Sequence, residues 1–245
     1  MKCLRSMSVR TDFIRTSTFE VLQQGVAAVD CMLGYGIDSY PSLEYVLQSL
    51  LLKMTGFGEQ KLRNICWEVA TVDLDYRYKT LQGQVGYGEF SNLDNKKEVY
   101  LLLYNKTKEI NSKHEIKADD KKKMLDKVQD EITKAFENSI FVVSYPTAFK
   151  SALEFIRKWK PEQFAKNKTF VMDPLDNCYD MLYKQRNRCA HNTLSYQQDA
   201  LLLKDIQDKN FGYWNYFSYF ALLLLFDKIF MKAFSMYQET LSSNC

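Results

Sequence analysis

Apolar residues recur at three- and four-residue spacing along most of the chain, the periodicity of helices packed on one face. In SLEYVLQSLLLKM, Ser42 can cap a helix running to about Met54, and TGFG supplies a stop through Gly56 and Gly58. A second helix is expected from Glu59 to about Thr80. Leu62, Ile65, Cys66, Val69 and either Val72 or Asp73 form its stripe, with Arg63, Asn64 and Glu68 off it, so the two helices form a hairpin. The glycines and the Ser/Asn/Asp run of LQGQVGYGEFSNLDNKK then predict an irregular connection. Its Gly86 and Gly88 lack the preceding strand and the spacing of a phosphate cradle. EVYLLLYNKTKEI reads as a helix, with a short strand as the competing assignment.

Further on, Leu125, Val128, Ile132 and Phe136 mark a helix over 119–136, with the acids of DDKKK at its start and the lysines beside them on a solvated face. Phe149, Leu153 and Ile156 share a face of the segment 147–159, and Trp159 stands just before a stop at Pro161. Asp173-Pro174 is a helix start, the carboxylate free to cap backbone N–H groups. That helix carries Leu175, Cys178 or Tyr179, Leu182 and Cys189 inward. A long aromatic helix follows over 211–241. Its uncharged part, residues 211–226, is shorter than the roughly 20 apolar residues that span a bilayer, so a buried core helix is expected and stable membrane insertion is not. With no fixed repeat and no proline-rich linker, the chain reads as all-α, one compact helical bundle over 1–245, with residues 1–18 as a flexible arm.

Composition narrows the function classes. A 46% hydrophobic content suits a folded globular protein, and the length permits an enzyme. The net charge of +3, from 33 basic and 30 acidic residues, is too small for a protein that coats duplex nucleic acid, so any nucleic-acid role must be local. Six scattered cysteines without a CxxC pair suggest neither a zinc site nor a disulfide framework, and fit a reducing, cytoplasmic setting. No metal and no cofactor is implied.

The chemistry concentrates in KQRNRCAHNT, residues 184–193, at the end of the helix that starts near Pro174. Arg186 can present a fork of donors to a phosphate, and His191 can move protons near neutral pH. Five helical steps separate them, a rotation of about 140° and a rise of roughly 7.5 Å, so they flank a groove unless the helix bends or ends near His191. The plainer alternative is a helix C-terminus whose Arg and His meet the dipole and free carbonyls, with Asn192 as terminator. Lys184 and Arg188 are surface charges or auxiliary phosphate contacts. Tyr183 and Tyr196 are candidates to stack on unpaired bases, with core packing as the competing use. His114, amid polar residues, reads as solvent-exposed.

Arg186-Asn187-Arg188-Cys189-Ala190-His191 resembles the signature of the HEPN superfamily: an arginine, a polar neighbour, and a histidine after four to six intervening residues. The resemblance implies a helical bundle whose homodimer faces two Arg/His sets into one cleft and cuts single-stranded or looped RNA without a metal. In that reading Arg186 and His191 are catalytic, Asn187 orients His191 or the phosphate, and Lys184, Arg188, Asn192 and Tyr196 contact RNA. If the chain is half of a toxin–antitoxin pair, an antitoxin or regulatory protein is its further partner. Two alternatives stay open: a non-catalytic helical protein that binds RNA or a protein partner, and a purely structural use of Arg186 and His191 in salt bridges or helix-end bonds.

Overall fold

Leucine and aromatic side chains occupy every side of the segment 216–226, which leaves that half of the helix no polar face to turn to water; such a stretch is stable only among other helices, while Lys228, Lys232, Ser235, Gln238 and Glu239 form a partly exposed stripe beyond it. The computed structural model describes residues 9–32, 40–82, 90–112, 115–191 and 215–243. The helices are α1 (Val9–Arg15), α2 (Thr18–Met32), α3 (Tyr40–Val72), α4 (Leu74–Leu81), α5 (Leu93–Ile110), α6 (Ala118–Phe136), α7 (Ile140–Ser144), α8 (Pro146–Ile156), α9 (Leu175–His191) and α10 (Tyr216–Ser243). The fold is all-α and compact. Helices α2, α3, α5, α6, α8 and α9 all pack on α10. A two-stranded antiparallel hairpin, β1 (Phe164–Lys166) and β2 (Thr169–Val171), interrupts the helices and pairs Phe164 with Val171. It was not foreseen, and its runs of three residues are too short to show a period.

The core is aromatic where α6, α7, α8 and α10 meet. Phe136 is fully buried and stands edge-on to Phe217 at 4.9 Å between centroids and stacked on Phe220 at 6.0 Å. Burial of side chains this large is the main source of stabilisation, at roughly 25 cal/mol per Å² removed from water. Phe141 and Phe149 close the cluster on its other sides.

Several expectations are corrected. Helix α3 does not stop at Gly56 and Gly58 but runs through them to Val72. Each glycine costs a helix about 1 kcal/mol relative to alanine. Met54, Thr55, Lys61 and Leu62, all buried around them, outweigh that cost. The break falls instead at Asp73, whose carboxylate accepts from Tyr76 N at 2.8 Å and caps α4, while Arg77 closes back on the carbonyls of Ala70 and Thr71. The expected hairpin is therefore one long helix and a short turned one.

Of the segment 1–18, expected as an arm, residues 1–8 lie outside the described residues and residues 9–18 form α1 and the start of α2. Thr11 and Ile14 of α1 are buried, and Thr18 opens α2 inside the core. The EVYLLLYNKTKEI segment is helical, within α5, and Asn92 caps it by accepting from Asn95 N at 2.8 Å. Of the lysines beside Asp119 and Asp120, Lys121 leaves the solvated face and lies buried over the Phe164 ring, 5.8 Å from its centroid. Helix α9 begins at Leu175, and the Asp173 carboxylate accepts from the side-chain amide of Asn177. Of the inward set expected for α9, Leu175, Cys178, Tyr179 and Leu182 are buried and Cys189 is half-buried.

One ion pair ties the layers together. Asp227, in the middle of α10, accepts from Lys61 Nζ of α3 at 2.5 Å and from the backbone N–H of Thr18, the first residue of α2, at 3.0 Å. Both side chains are almost fully buried, 5% and 6% exposed. Removing one partner of a buried pair strands the other charge. Asp227→Ala is therefore expected to lower stability by about 3–5 kcal/mol, and the double replacement Lys61→Met with Asp227→Leu by far less. Urea denaturation followed by circular dichroism measures both; equal losses would place the cost in shape instead of charge.

Candidate functional site

Helix α9 owes its position to the stripe Leu175, Cys178, Tyr179 and Leu182, which continues at Gln185 and packs the helix against α3 and α10. Gln185 is polar but buried, so it must find partners. Its amide donates to the Tyr216 hydroxyl of α10 at 2.9 Å, and that hydroxyl donates to Glu44 Oε1 of α3 at 2.9 Å. Gln48 donates to the same carboxylate oxygen at 3.1 Å. Burial raises the Glu44 carboxyl above its ordinary range, against the opposing hydrogen bonds of Gln48 and Tyr216. Cys189, one turn beyond Gln185, lies 3.8 Å from the Gln185 amide, and burial pushes its thiol up, which disfavours the thiolate a nucleophile needs.

On the other flank of α9 lies a cluster of charges. Arg186 is half-buried; its Nη1 donates to Asn187 Oδ1 at 3.1 Å and its Nη2 stands 3.6 Å from Glu59 Oε1 of α3. Its Nε is buried without a hydrogen-bond partner among the described residues. Lys96 of α5 feels both Glu59 and Arg186. The Lys96 ammonium donates to the Phe90 carbonyl and sits over the Tyr179 ring at 5.3 Å, while the Tyr179 hydroxyl donates to the Ser91 carbonyl at 2.5 Å. Burial pushes the Lys96 ammonium down to about 8; Glu59 resists this and Arg186 adds to it. Three helices thus converge at the base of Arg186.

His191 is exposed as the last residue of α9, and Lys184 and Arg188 are exposed as well. The helix stays regular through His191, so no bend draws it toward Arg186, and the two remain about 140° apart around the axis. Within one chain they face different directions. Asn187 engages Arg186. Tyr183 is half-buried against the core. Asn192, Tyr196 and His114 lie outside the described residues. Among the described residues, no group of three His, Cys, Asp or Glu side chains is placed to hold a metal ion.

No family model, curated protein or solved structure matches this chain.

Glu59, Lys96, Glu44 and Tyr216 were not anticipated as neighbours of the motif. The available signal was Gln185, a polar residue on the inward stripe. Glu59 was hidden because it follows two glycines and reads as a helix start.

Lys96 gives the cluster a pH signature. Its pKa in the folded protein, about 8, lies below its ordinary value of 10.5, so the unfolded chain binds more protons between those limits. Its contribution to stability therefore rises with pH through that window, and below pH 8 the charged ammonium costs about 3 kcal/mol. Lys96→Met should raise stability at pH 7 by an amount that shrinks by pH 9.5. Denaturation of both proteins across that range reads the difference directly, and a constant gap would assign the gain to packing.

Proposed function

We propose that the chain is a metal-independent endoribonuclease that cuts single-stranded or looped RNA as a homodimer, in the manner implied by its resemblance to the HEPN superfamily. The observation that carries this reading is the end of α9. There a guanidinium held by Asn187 and Glu59 is followed, five residues on, by an exposed imidazole. RNA supplies its own nucleophile. His191 takes the proton from a 2′-hydroxyl, the oxygen attacks the adjacent phosphorus, the P–O5′ bond breaks, and a second His191 returns a proton to the leaving oxygen. Arg186 stabilises the charge that builds on the phosphoryl oxygens. A cyclic phosphate and a free 5′-hydroxyl result.

The divergence of Arg186 and His191 supports the homodimer. One chain offers them on different faces, and a two-fold axis beside the end of α9 brings the Arg186 of one copy toward the His191 of the other. Lys184 and Arg188 add exposed cations for the flanking phosphates. Asn192 and Tyr196 keep their proposed part as RNA contacts beyond the helix end. An antitoxin or other regulatory protein would be the natural partner of such an activity, and a reducing cytoplasm its setting. Among the described residues, no helix is long and apolar enough to cross a membrane.

The Arg186–Glu59 ion pair favours a second reading, in which the arginine braces α9 against α3 and the helix end binds RNA or a protein partner without turnover. The two separate cleanly. With a labelled RNA panel in excess EDTA, the nuclease reading expects cleavage by the wild type. Loss should reach roughly 10²- to 10⁴-fold in both His191→Ala and Arg186→Ala, with unchanged circular dichroism. Binding without cleavage, unaltered by His191→Ala, supports the second reading, and unfolding of Arg186→Ala alone marks the arginine as a brace.

A further inference from the structure

Away from the motif, helices α1, α2, α3, α5 and α10 surround a cavity of about 40 Å³. A buried water needs at least about 10–15 Å³ on this measure, so the space suits about three waters or one molecule of some four or five heavy atoms. Its walls are apolar, from Ile14, Met54, Leu62, Leu223 and Phe226. Five polar or charged side chains line it as well: Thr18, Thr55, Lys61, Lys96 and Asp227, of which the Thr55 hydroxyl donates to the Leu51 carbonyl of its own helix.

Those polar groups do not cancel among themselves. Lys61 and Asp227 satisfy each other, and the Thr18 N–H takes the second Asp227 oxygen. Lys96 is 6% exposed and is ion-paired to no carboxylate among the described residues; a backbone carbonyl and the face of Tyr179 are its contacts. The Thr18 hydroxyl, on a residue 2% exposed, is buried with no hydrogen-bond partner among the described residues. Among the described residues, the lining therefore carries one ammonium without a carboxylate partner and one hydroxyl without a hydrogen-bond partner, in a partly open recess with largely apolar walls. Water would answer the hydroxyl and leave the charge. A single small anion answers both.

We propose that this cavity is a binding site for a short-chain monocarboxylate of acetate to propionate size, with Lys96 as counter-ion and the Thr18 hydroxyl as a second donor. The single ammonium without a carboxylate partner selects a monoanion over a phosphate or a dicarboxylate, and the apolar walls select a carboxylate with a methyl or ethyl group over a bare oxyanion. The volume is filled by the carboxylate and one or two carbons, so a longer acyl chain gains no further buried contact inside it. Lys96 is held low chiefly by burial, with Glu59 acting against the shift and Arg186 with it, and a bound carboxylate adds negative charge beside this ammonium. The site is independent of the nuclease reading, since its ligand is bound and not turned over.

The test is calorimetric titration of the full-length protein with sodium acetate, propionate, octanoate and chloride at constant ionic strength. Saturable binding of acetate and propionate is expected, with octanoate no tighter than propionate and chloride at least tenfold weaker. Affinity should fall at least tenfold in Lys96→Met and several-fold in Thr18→Val, and stay unchanged in the exposed-site control Lys122→Met. Absence of saturable carboxylate binding by the wild type overturns the proposal, as does equal binding of chloride or tighter binding of octanoate. Undiminished affinity in a folded Lys96→Met protein overturns it too. Should Lys96→Met fail to fold, Thr18→Val decides: unchanged affinity there removes the site.

Discussion

A carboxylate in the middle of an otherwise apolar helix sets the architecture. Asp227 lies within the longest buried run among the described residues, where an unpaired charge would cost several kcal/mol. It is tolerated because Lys61 and the first N–H of α2 reach it together, which ties α2, α3 and α10 to one another at that point. Hydrophobic burial draws these helices together without choosing how far each slides along the others. The ion pair supplies a fixed point of contact. Around it the remaining charges are arranged at the edges of α10, with Lys228 on Glu131 at 2.6 Å and Lys232 on Asp120 at 3.1 Å, both tying α6 to the same helix.

The same economy governs α9. One flank carries the hydrogen-bonded line of Gln185, Tyr216 and Glu44, and the other the charges of Arg186, Glu59 and Lys96. The helix is thereby held by polar contacts on both sides of its apolar stripe, which restricts its rotation and fixes where its last turn ends. The direction in which His191 meets solvent follows from that restraint. Lys96 links the two chemical regions of the molecule, since it lines the cavity and lies in the field of the motif arginine.

Long amphipathic or wholly apolar segments were legible residue by residue. The stripe Val128, Ile132 and Phe136 of α6, the inward set of α9 and the buried character of α10 all follow from period and length. Local punctuation misled where packing opposed it. Gly56 and Gly58 have the chemistry of a stop, yet the buried residues on either side make continuation of α3 the lower free energy. The N-terminal segment lacks a clear stripe, and only the presence of Asp227 far along the chain explains why Thr18 is buried. Lys121 was read as solvated because its neighbours are, although its own position on the helix faces the hairpin and the Phe164 ring.

The sequence by itself determined the helical class, the burial of α10 and the grouping of Arg186, Asn187 and His191 at one helix end, because each depends on spacing within a single segment. The tertiary structure alone decided what those residues meet. Glu59 beside Arg186, Lys96 beside both, and the unpaired Thr18 hydroxyl in the cavity are contacts between helices distant in the chain. Periodicity determines which face of a helix turns inward. It holds no record of which polar group on another helix will be waiting there, and the placement of charge in the core depends on that encounter.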